Sequence, residues 1–189
     1  MYKYRTIIAF IIVAALQLFI PAQMIWHQES ILMKGKEYKF QTAPIDPNDP
    51  FRGKYITLNY TEDMVEVKDT NMVKKAEFVF IFLRTDDDGF AKLDSVSDKA
   101  PAEGDNFLKV PSGAINNGKM YVELPFNRFY MEESKAEMAE KAYVRFNRDS
   151  LKKAYALVNI RNGEAAIKDV MIDGKSLIEI VKEQNKKAN

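Results

Sequence analysis

The sequence predicts a mainly β domain, antiparallel and sandwich or barrel-like, with about two short α-helices and one N-terminal transmembrane helix in front of it. Three observations support this fold class. An apolar run opens the chain, most later segments alternate apolar and polar residues, and Asn-Gly pairs separate several of these segments. Alternation is typical of half-buried strands, and Asn-Gly pairs favour two-residue hairpins.

Residues 6–26 contain no charged side chain. A helix of about 21 residues spans about 30 Å, which is the thickness of the hydrocarbon core of a bilayer. Lys3 and Arg5 precede this run, and Glu29 is the first acidic residue after it. Positive charge on the short leading side predicts a single-pass protein of the cytoplasmic membrane, with its N-terminus inside and the bulk of the chain extracytoplasmic (periplasmic in a diderm).

A cleaved signal peptide is the alternative interpretation of this run. Ala22 could stand just before a cut, but Ile20 and Pro21 would crowd that site, and the apolar run continues beyond it. We therefore expect residues 1–28 to be a retained membrane anchor. Residues 29–189 are then expected to form the extracytoplasmic β-rich domain.

Composition argues against several classes of function. The 28 basic and 27 acidic residues leave a net charge of +1, so we expect no nucleic-acid partner. The chain has no Cys and only one His, which excludes thiol chemistry and multi-histidine metal centres. No Gly-rich phosphate-binding loop is present. The sequence thus predicts no metal, no cofactor and no catalytic residue, and it favours a protein that is not an enzyme.

Alternation and turn signals predict the individual strands. Tyr55 and Tyr60 fall on opposite faces of the strand predicted over residues 54–60. The strand predicted over residues 76–83 is apolar on both faces, as expected for a central strand that is covered twice. The predicted strands cover residues 37–42, 54–60, 76–83, 90–97, 119–126, 155–161 and 164–173. The capping boxes Ser134-x-x-Glu137 and Ser176-x-x-Glu179 predict the two short helices.

Residues 44–60 are the most distinctive segment. Three prolines restrict the backbone conformation of its first half. Among and just after them stand two carboxylates and a guanidinium, those of Asp46, Asp49 and Arg52. These groups could hold a cation, a polar ligand or the charged tail of a partner. In the structural alternative, the Asp side chains cap turn amides and Arg52 pairs with one of them. Gly53 provides the backbone freedom needed just before the strand.

A second candidate group follows later in the chain and comprises Arg128, Tyr130, Glu133 and Glu140. These residues could meet the first group across the sheet and complete a polar cleft. The alternative is an ordinary capped helix with solvated acidic side chains. Likewise, Tyr55 and Tyr60 could be edge and core aromatics, and regular pleating would keep them apart unless a bulge intervened.

The run Gly53, Lys54, Tyr55, Leu58 and Tyr60 resembles the signature of a bacterial family named after Gly-Asp-Tyr-x-x-Leu-x-Tyr, the GDYXXLXY proteins. Lys54 stands where the family name has Asp, which reverses the charge at that position. The lead-in Asp46-Pro47-x-Asp49-x-x-Arg52 and the segment that begins at Arg128 are also similar to that family. The resemblance implies a membrane-anchored envelope protein, often encoded beside multi-pass membrane proteins, with no assigned activity.

Three functional hypotheses remain open at this point. The first is a non-enzymatic accessory or interaction subunit of a membrane protein complex, docked on a multi-pass partner. The alternative is an envelope module that binds a small ligand through Asp46, Asp49 and Arg52. The third is a carboxylate-dependent hydrolase with Asp49 and Glu133 as acid and base. The candidate contact residues are Asp46, Asp49, Arg52, Gly53, Tyr55, Tyr60, Arg128, Tyr130, Glu133 and Glu140.

Overall fold

A computed structural model describes residues 2–43, 55–101, 104–132, 139, 143 and 154–188. The helices within these ranges are α1 (Tyr2–Lys34), α2 (Thr70–Lys75) and α3 (Leu177–Ala188). The strands within them are β1 (Lys36–Ala43), β2 (Tyr55–Thr57), β3 (Asn59–Tyr60), β4 (Met64–Glu66), β5 (Phe78–Thr85), β6 (Ala91–Ser97), β7 (Phe107–Pro111), β8 (Ile115–Asn116), β9 (Lys119–Tyr121), β10 (Arg128–Tyr130), β11 (Ala154–Arg161), β12 (Glu164–Ile172) and β13 (Lys175–Ser176).

The strands pair antiparallel in every ladder that the described residues form. The largest sheet has the order β13-β12-β11-β1-β3, and the smaller ones are β10-β2, β4-β9-β8 and β6-β5-β7. Parallel bridges from Lys39 to Phe90 and from Leu108 to Gly163 connect the largest sheet to the β6-β5-β7 sheet. The predicted fold class, mainly antiparallel β with short helices behind a long apolar one, is confirmed.

Helix α1 is long and apolar enough to cross a membrane, with a mean hydropathy of 2.2 and no buried residue in its most apolar part. Large apolar side chains such as Phe10, Leu18 and Trp26 are exposed along it. In water, so extended an exposed apolar surface would be unfavourable, whereas a lipid environment accommodates it. The helix continues to Lys34, and the expected domain boundary at residue 28 stays a prediction.

The last turns of α1 pack against β11 and β12. Ile31 is almost fully buried, and the side-chain amide of Asn159 donates a hydrogen bond of 2.6 Å to the carbonyl of Leu32. On the preceding turn, His27 Nε2 contacts the carboxylate of Glu164, the first residue of β12. Backbone carbonyls at the end of a helix lack partners within the helix, and Asn159 satisfies one of them. The apolar helix is thus attached to the β domain through its own C-terminal end.

The core confirms the alternation predicted for the first strand. Tyr38 and Phe40 of β1 are buried on one face. The Phe40 ring contacts the rings of Tyr60 and Phe126, with centroids 5.9 and 4.9 Å away. Aromatic pairs at these distances stabilise a core beyond the area that they bury. Strand β1 therefore joins the largest sheet to the segment around Tyr60.

The prediction of one continuous strand over residues 54–60 is wrong. Strand β2 pairs with β10, whereas β3 pairs with β1. The chain changes partner at Leu58, whose N–H donates to the carbonyl of Asn127 at 2.8 Å. Alternation continues through this point, with Ile56, Leu58 and Tyr60 all buried. The sequence pattern reports which face a side chain occupies and carries no information about which strand is the neighbour.

Strand β5 is central between β6 and β7, as predicted, but it is not covered on both faces. Val79 and Ile81 are fully buried, whereas Phe78 on the other face is 41% exposed. That face is only partly covered, chiefly by the ring of Phe107, which lies 5.9 Å from that of Phe80. The expectation of a doubly covered strand is therefore wrong for the phenylalanine side.

The predicted hairpin turn at Asn162-Gly163 is confirmed, with φ angles of 50° and 84° between β11 and β12. Two positive φ angles in succession are typical of a type I′ turn. The strand predicted over residues 119–126 is shorter than expected, because β9 ends at Tyr121. Beyond that point the N–H of Val122 donates to the carbonyl of Asp63, and no further ladder of β9 is present in the described part of the chain.

Helix α2 was not predicted, although a capping signal for it is present in the sequence. The side chain of Asp69 accepts hydrogen bonds from the N–H groups of Asn71 and Met72. An acidic residue in this position satisfies amides that have no partner in the first turn of a helix. With six residues, α2 is too short for a clear helical period, which is why the hydrophobic pattern missed it.

The helix predicted after Ser176 is confirmed as α3, with Leu177 and Val181 buried on one face. The capping box at residues 134–137 lies outside the described residues. Ala139 and Tyr143 are described, and both are helical and fully buried. Their spacing of four places them on the same face of a helix. That face packs into the core of the domain.

Candidate functional site

The structure describes four of the ten candidate contact residues. Those described are Tyr55, Tyr60, Arg128 and Tyr130, and those that lie outside the described residues are Asp46, Asp49, Arg52, Gly53, Glu133 and Glu140. The binding or catalytic roles suggested for the second set stay predictions. Both proposed hydrolase residues, Asp49 and Glu133, belong to that set, so their proposed meeting also stays a prediction.

Strands β2 and β10 bring Tyr55 of the signature next to Arg128 and Tyr130 of the second candidate group. In this ladder Tyr130 lies opposite Tyr55, and Arg128 lies opposite Thr57. Alternate residues of a strand share a face, so Arg128 and Tyr130 project together while Phe129 between them is buried. The Tyr55 and Tyr130 ring centroids are 5.4 Å apart, with their planes inclined by 54°. Tyr55, Arg128 and Tyr130 thus form one surface cluster, which we call the Arg128 cluster, and the expected meeting of the second group with Asp46, Asp49 and Arg52 stays a prediction.

The guanidinium of Arg128 lies over the ring of Tyr55, with Cζ 5.1 Å from the centroid. This is the geometry of a cation–π interaction. The pKa of Arg128 is raised above its ordinary value, first by its hydrogen bond to the Tyr130 side chain. The nearby Tyr55 and Tyr130, and to a smaller extent Glu123, also raise this pKa. The guanidinium thus lies against two tyrosine side chains at the surface of the domain.

Tyr60 points the opposite way, into the core. Its hydroxyl donates a hydrogen bond of 2.8 Å to the carbonyl of Phe126, and its ring packs edge-on against that of Phe126. Burial raises the pKa of Tyr60 far above its ordinary value, and the neighbouring Tyr143 adds to this increase. The expectation that Tyr55 and Tyr60 lie on opposite faces is confirmed, and the interpretation of Tyr60 as a core aromatic agrees with its burial.

Two surface concavities adjoin these residues. A cleft of about 610 Å³ lies beside the second half of the signature and is lined by Leu58, Asn59, Tyr60, Asp63, Glu123 and Asn127 among others. A groove of about 490 Å³ lies between the end of α1, strand β10 and strand β12, and we call it the junction groove. Within the described residues, no group of three or more His, Cys, Asp or Glu side chains is placed to hold a metal ion.

Sequence reasoning missed the residues that fasten α1 to the domain. These residues are Glu164, which contacts His27, and Asn159, which bonds to the carbonyl of Leu32. His27 and Glu164 are 137 positions apart, so no local pattern could connect them. Asn159 is 5% exposed, and its side-chain amide N–H donates to the carbonyl of Leu32, whereas its Oδ1 has no hydrogen-bond partner among the described residues.

The described residues define a class of protein, namely a mainly antiparallel β domain carried by one apolar helix that is long enough to span a membrane. A family model with the description GDYXXLXY protein matches residues 17–170, and the chain belongs to this family. The resemblance found in the signature residues is thus confirmed. No curated protein and no solved structure matches the chain.

Proposed function

We propose that the protein is a non-enzymatic accessory subunit of a membrane protein complex. Helix α1 anchors it in the cytoplasmic membrane, and the β domain docks on a multi-pass membrane partner at the outer face. The segment of residues 46–60 and the Arg128 cluster form part of the contact surface. This proposal extends what family membership and the apolar helix establish, which is neither an activity nor a partner.

The attachment of α1 to the domain is the observation that carries the proposal. The apolar part of the helix is exposed, whereas its final turns are held by the burial of Ile31 and by the hydrogen bond from Asn159 to Leu32. A domain on a flexible tether would sample many orientations over the membrane. A domain fixed to the end of its anchor presents the same face to a neighbour in the bilayer, as a subunit of a complex requires.

The orientation rests on the distribution of charge. Lys3 and Arg5 stand on the short leading side of the apolar run, and positive charges there favour retention of that side in the cytoplasm. Protease treatment of intact spheroplasts that carry the full chain with a C-terminal tag should digest the β domain and leave a short membrane-bound fragment. Protection of the tag until the membrane is ruptured would contradict an extracytoplasmic domain.

The partner is tested by purifying the tagged full chain in mild detergent and measuring the mass of the complex. We expect a multi-pass protein in stoichiometric amount, and Asp46→Ala with Arg52→Ala should reduce its recovery. The matched control is Arg84→Ala with Asp94→Ala, which removes an exposed ion pair of 3.4 Å on the β5–β6 hairpin. Recovery of the wild-type chain alone, or equal losses in both double variants, would contradict the proposal.

A second candidate function, an envelope module that binds a small ligand, is favoured by the cleft beside Leu58 and Tyr60. Asp63 and Glu123 give that cleft polar walls. If Asp46, Asp49 and Arg52 anchor a ligand, then Asp49→Ala and Arg52→Ala should abolish ligand-induced thermal shifts across a panel of polar small molecules. The melting temperature without ligand should stay unchanged, and unfolding of both variants would instead indicate a structural role.

A further inference from the structure

The junction groove lies where α1 meets the β domain. Each wall comes from a different part of the chain, since the end of α1 provides one and strands β10 and β12 provide the others. The residues that matter for its chemistry are Gln28, Leu32, Arg128, Tyr130, Ala165 and Ile167. The groove therefore combines one cation and one phenol with mostly apolar or uncharged surroundings.

The position of the groove along α1 sets its depth relative to the bilayer. With residues 6–26 in the hydrocarbon core, Gln28 lies about 3 Å and Leu32 about 9 Å beyond the end of the span, at 1.5 Å per residue. The headgroup layer of a bilayer is about 5–8 Å thick on each side. The Gln28 end of the groove is thus at the level of the lipid headgroups, which is where the phosphates are, and Leu32 lies just beyond them.

Arg128 is suited to binding an anion from this position. Its guanidinium has five N–H donors, of which the contact with Tyr130 uses only part. Because the Tyr130 oxygen accepts from Arg128, the Tyr130 hydroxyl hydrogen is free to donate to a second acceptor. Among the described residues, no carboxylate lies within salt-bridge distance of Arg128.

We propose that the junction groove binds the phosphate of a membrane phospholipid, with Arg128 as the charged donor and Tyr130 as a second hydrogen-bond donor. Ala165 follows Glu164, which contacts His27, so it lies on the bilayer side of the groove and faces the glycerol of the lipid. This inference rests on the membrane anchoring in the proposed function and is independent of which face the domain occupies; where the Arg128 cluster also contacts a partner, the bound lipid lies in that interface.

A lipid fits these residues better than a phosphate ester in solution. A single exposed Arg binds a dissolved anion weakly, because water screens the charges. A phospholipid is present at high local concentration beside α1 and offers an apolar body to the bilayer side of the groove at Ala165 as well as an anion to Arg128. Charge and apolar surface in one groove match the two parts of that one ligand.

The test uses the full chain, reconstituted into nanodiscs of phosphatidylcholine with a minor fraction of phosphatidylglycerol. Lipid that stays bound after transfer to detergent is counted by native mass spectrometry. We expect one retained phospholipid per wild-type chain and about 10- to 100-fold weaker retention in Arg128→Gln, because charge-assisted hydrogen bonds are lost. Tyr130→Phe should weaken retention by a few-fold, and Arg84→Gln on the distant β5–β6 hairpin should leave it unchanged.

Further arms keep the proposal falsifiable. Arg128→Lys preserves the charge and should retain lipid better than Arg128→Gln, which separates anion binding from a general defect in folding. Equal retention in wild type and Arg128→Gln would overturn the proposal. Full displacement of the lipid by millimolar glycerol phosphate would also overturn it, in favour of a soluble phosphate ester. Release of the wild-type chain from the bilayer by alkaline carbonate would overturn the anchoring itself, whereas stable insertion without lipid retention overturns only the lipid site.

Discussion

Tyr55 and Tyr60 are both tyrosines of the family signature, but they occupy different environments. Tyr55 lies at the surface beneath Arg128, and its ring also contacts that of Tyr130. Tyr60 lies in the core, where its hydroxyl reaches the carbonyl of Phe126. The odd spacing between them puts one on each face of an extended chain. Tyr55 is thus half-buried within the Arg128 cluster, whereas Tyr60 is part of the core.

Removal of the Tyr60 hydroxyl tests this assignment. Tyr60→Phe keeps the ring contacts with Phe40 and Phe126 but leaves the Phe126 carbonyl without its donor. We expect a loss of about 1–2 kcal/mol in the free energy of unfolding, because an unsatisfied buried acceptor is costly. Urea unfolding of the full chain in detergent, followed by circular dichroism, measures it. Tyr121→Phe, at an exposed side chain, is the control and should change the value by less than about 0.5 kcal/mol.

The buried phenols predict sensitivity to alkali. Burial raises the pKa of Tyr143 to about 12, partly offset by the adjacent Thr42, and raises that of Tyr60 still further. The unfolded chain releases these protons near pH 10, as ordinary tyrosines do. The folded protein binds them more tightly, so its stability is complete below about pH 10 and falls as the pH rises above that value. Tyr143 alone should account for about 2–3 kcal/mol by pH 12.

This prediction is checked by measuring urea unfolding between pH 8 and pH 11.5. The wild type should lose stability more steeply than the double variant Tyr60→Phe with Tyr143→Phe. Other groups titrate equally in both proteins, so their contributions cancel in the difference. Parallel pH profiles for the two proteins would show that neither phenol is protected in the folded state.

At the scale of elements, the β11–β12 hairpin performs two tasks at its turn. Gly163 has a φ of 84°, which completes the reversal, and its backbone bonds to Lys109 of β7. A side chain at this position would meet the ring of Phe107, with a Cβ 2.6 Å from the nearest ring carbon. The turn therefore also connects the largest sheet with the β6-β5-β7 sheet. At other turn glycines with a positive φ, such as Gly174, an added Cβ would meet nothing, so glycine is needed there only for the reversal of the chain.

Gly163→Ala and Gly174→Ala form a matched pair that separates these tasks. Both glycines have a positive φ, but an added Cβ at Gly174 meets nothing within 4 Å. Backbone strain alone should cost Gly174→Ala about 1–2 kcal/mol. Gly163→Ala should lose about 1–3 kcal/mol more, because Phe107 must move. The midpoints of urea unfolding measure the difference, and equal losses would show that the contact with Phe107 does not hold the two sheets together.

Across the whole molecule, α1 combines an apolar surface for lipid with a fixed attachment to the domain. Leu16 lies near the middle of residues 6–26 and is exposed. An Arg at the centre of a membrane-spanning helix costs about 2.5–3.5 kcal/mol on insertion scales. Leu16→Arg should therefore lower the fraction of protein that survives an alkaline carbonate wash of membranes. Met33→Arg, exposed near the end of α1, should behave as wild type, and unchanged retention of both variants would argue against a span at these residues.

Local patterns determined much of the fold. The charge-free run predicted α1, the alternation predicted β1, and Asn162-Gly163 predicted the hairpin. Each depends on neighbours within a few positions, which is what a sequence records. The change of partner at Leu58 was not predictable, because both strand partners lie far away along the chain. The half-covered face of β5 was missed for the same reason, since coverage depends on Phe107.

The sequence by itself determined that an apolar helix precedes a β-rich domain, that Tyr55 and Tyr60 face opposite ways, and that the chain carries the family signature. Only the tertiary structure decided that Tyr55 meets Arg128 and Tyr130, and that α1 ends against Asn159 and Glu164. Periodicity fixes the face on which a side chain lies, because each residue turns the backbone by a set angle. Which distant residue it meets is decided by the packing of the entire core.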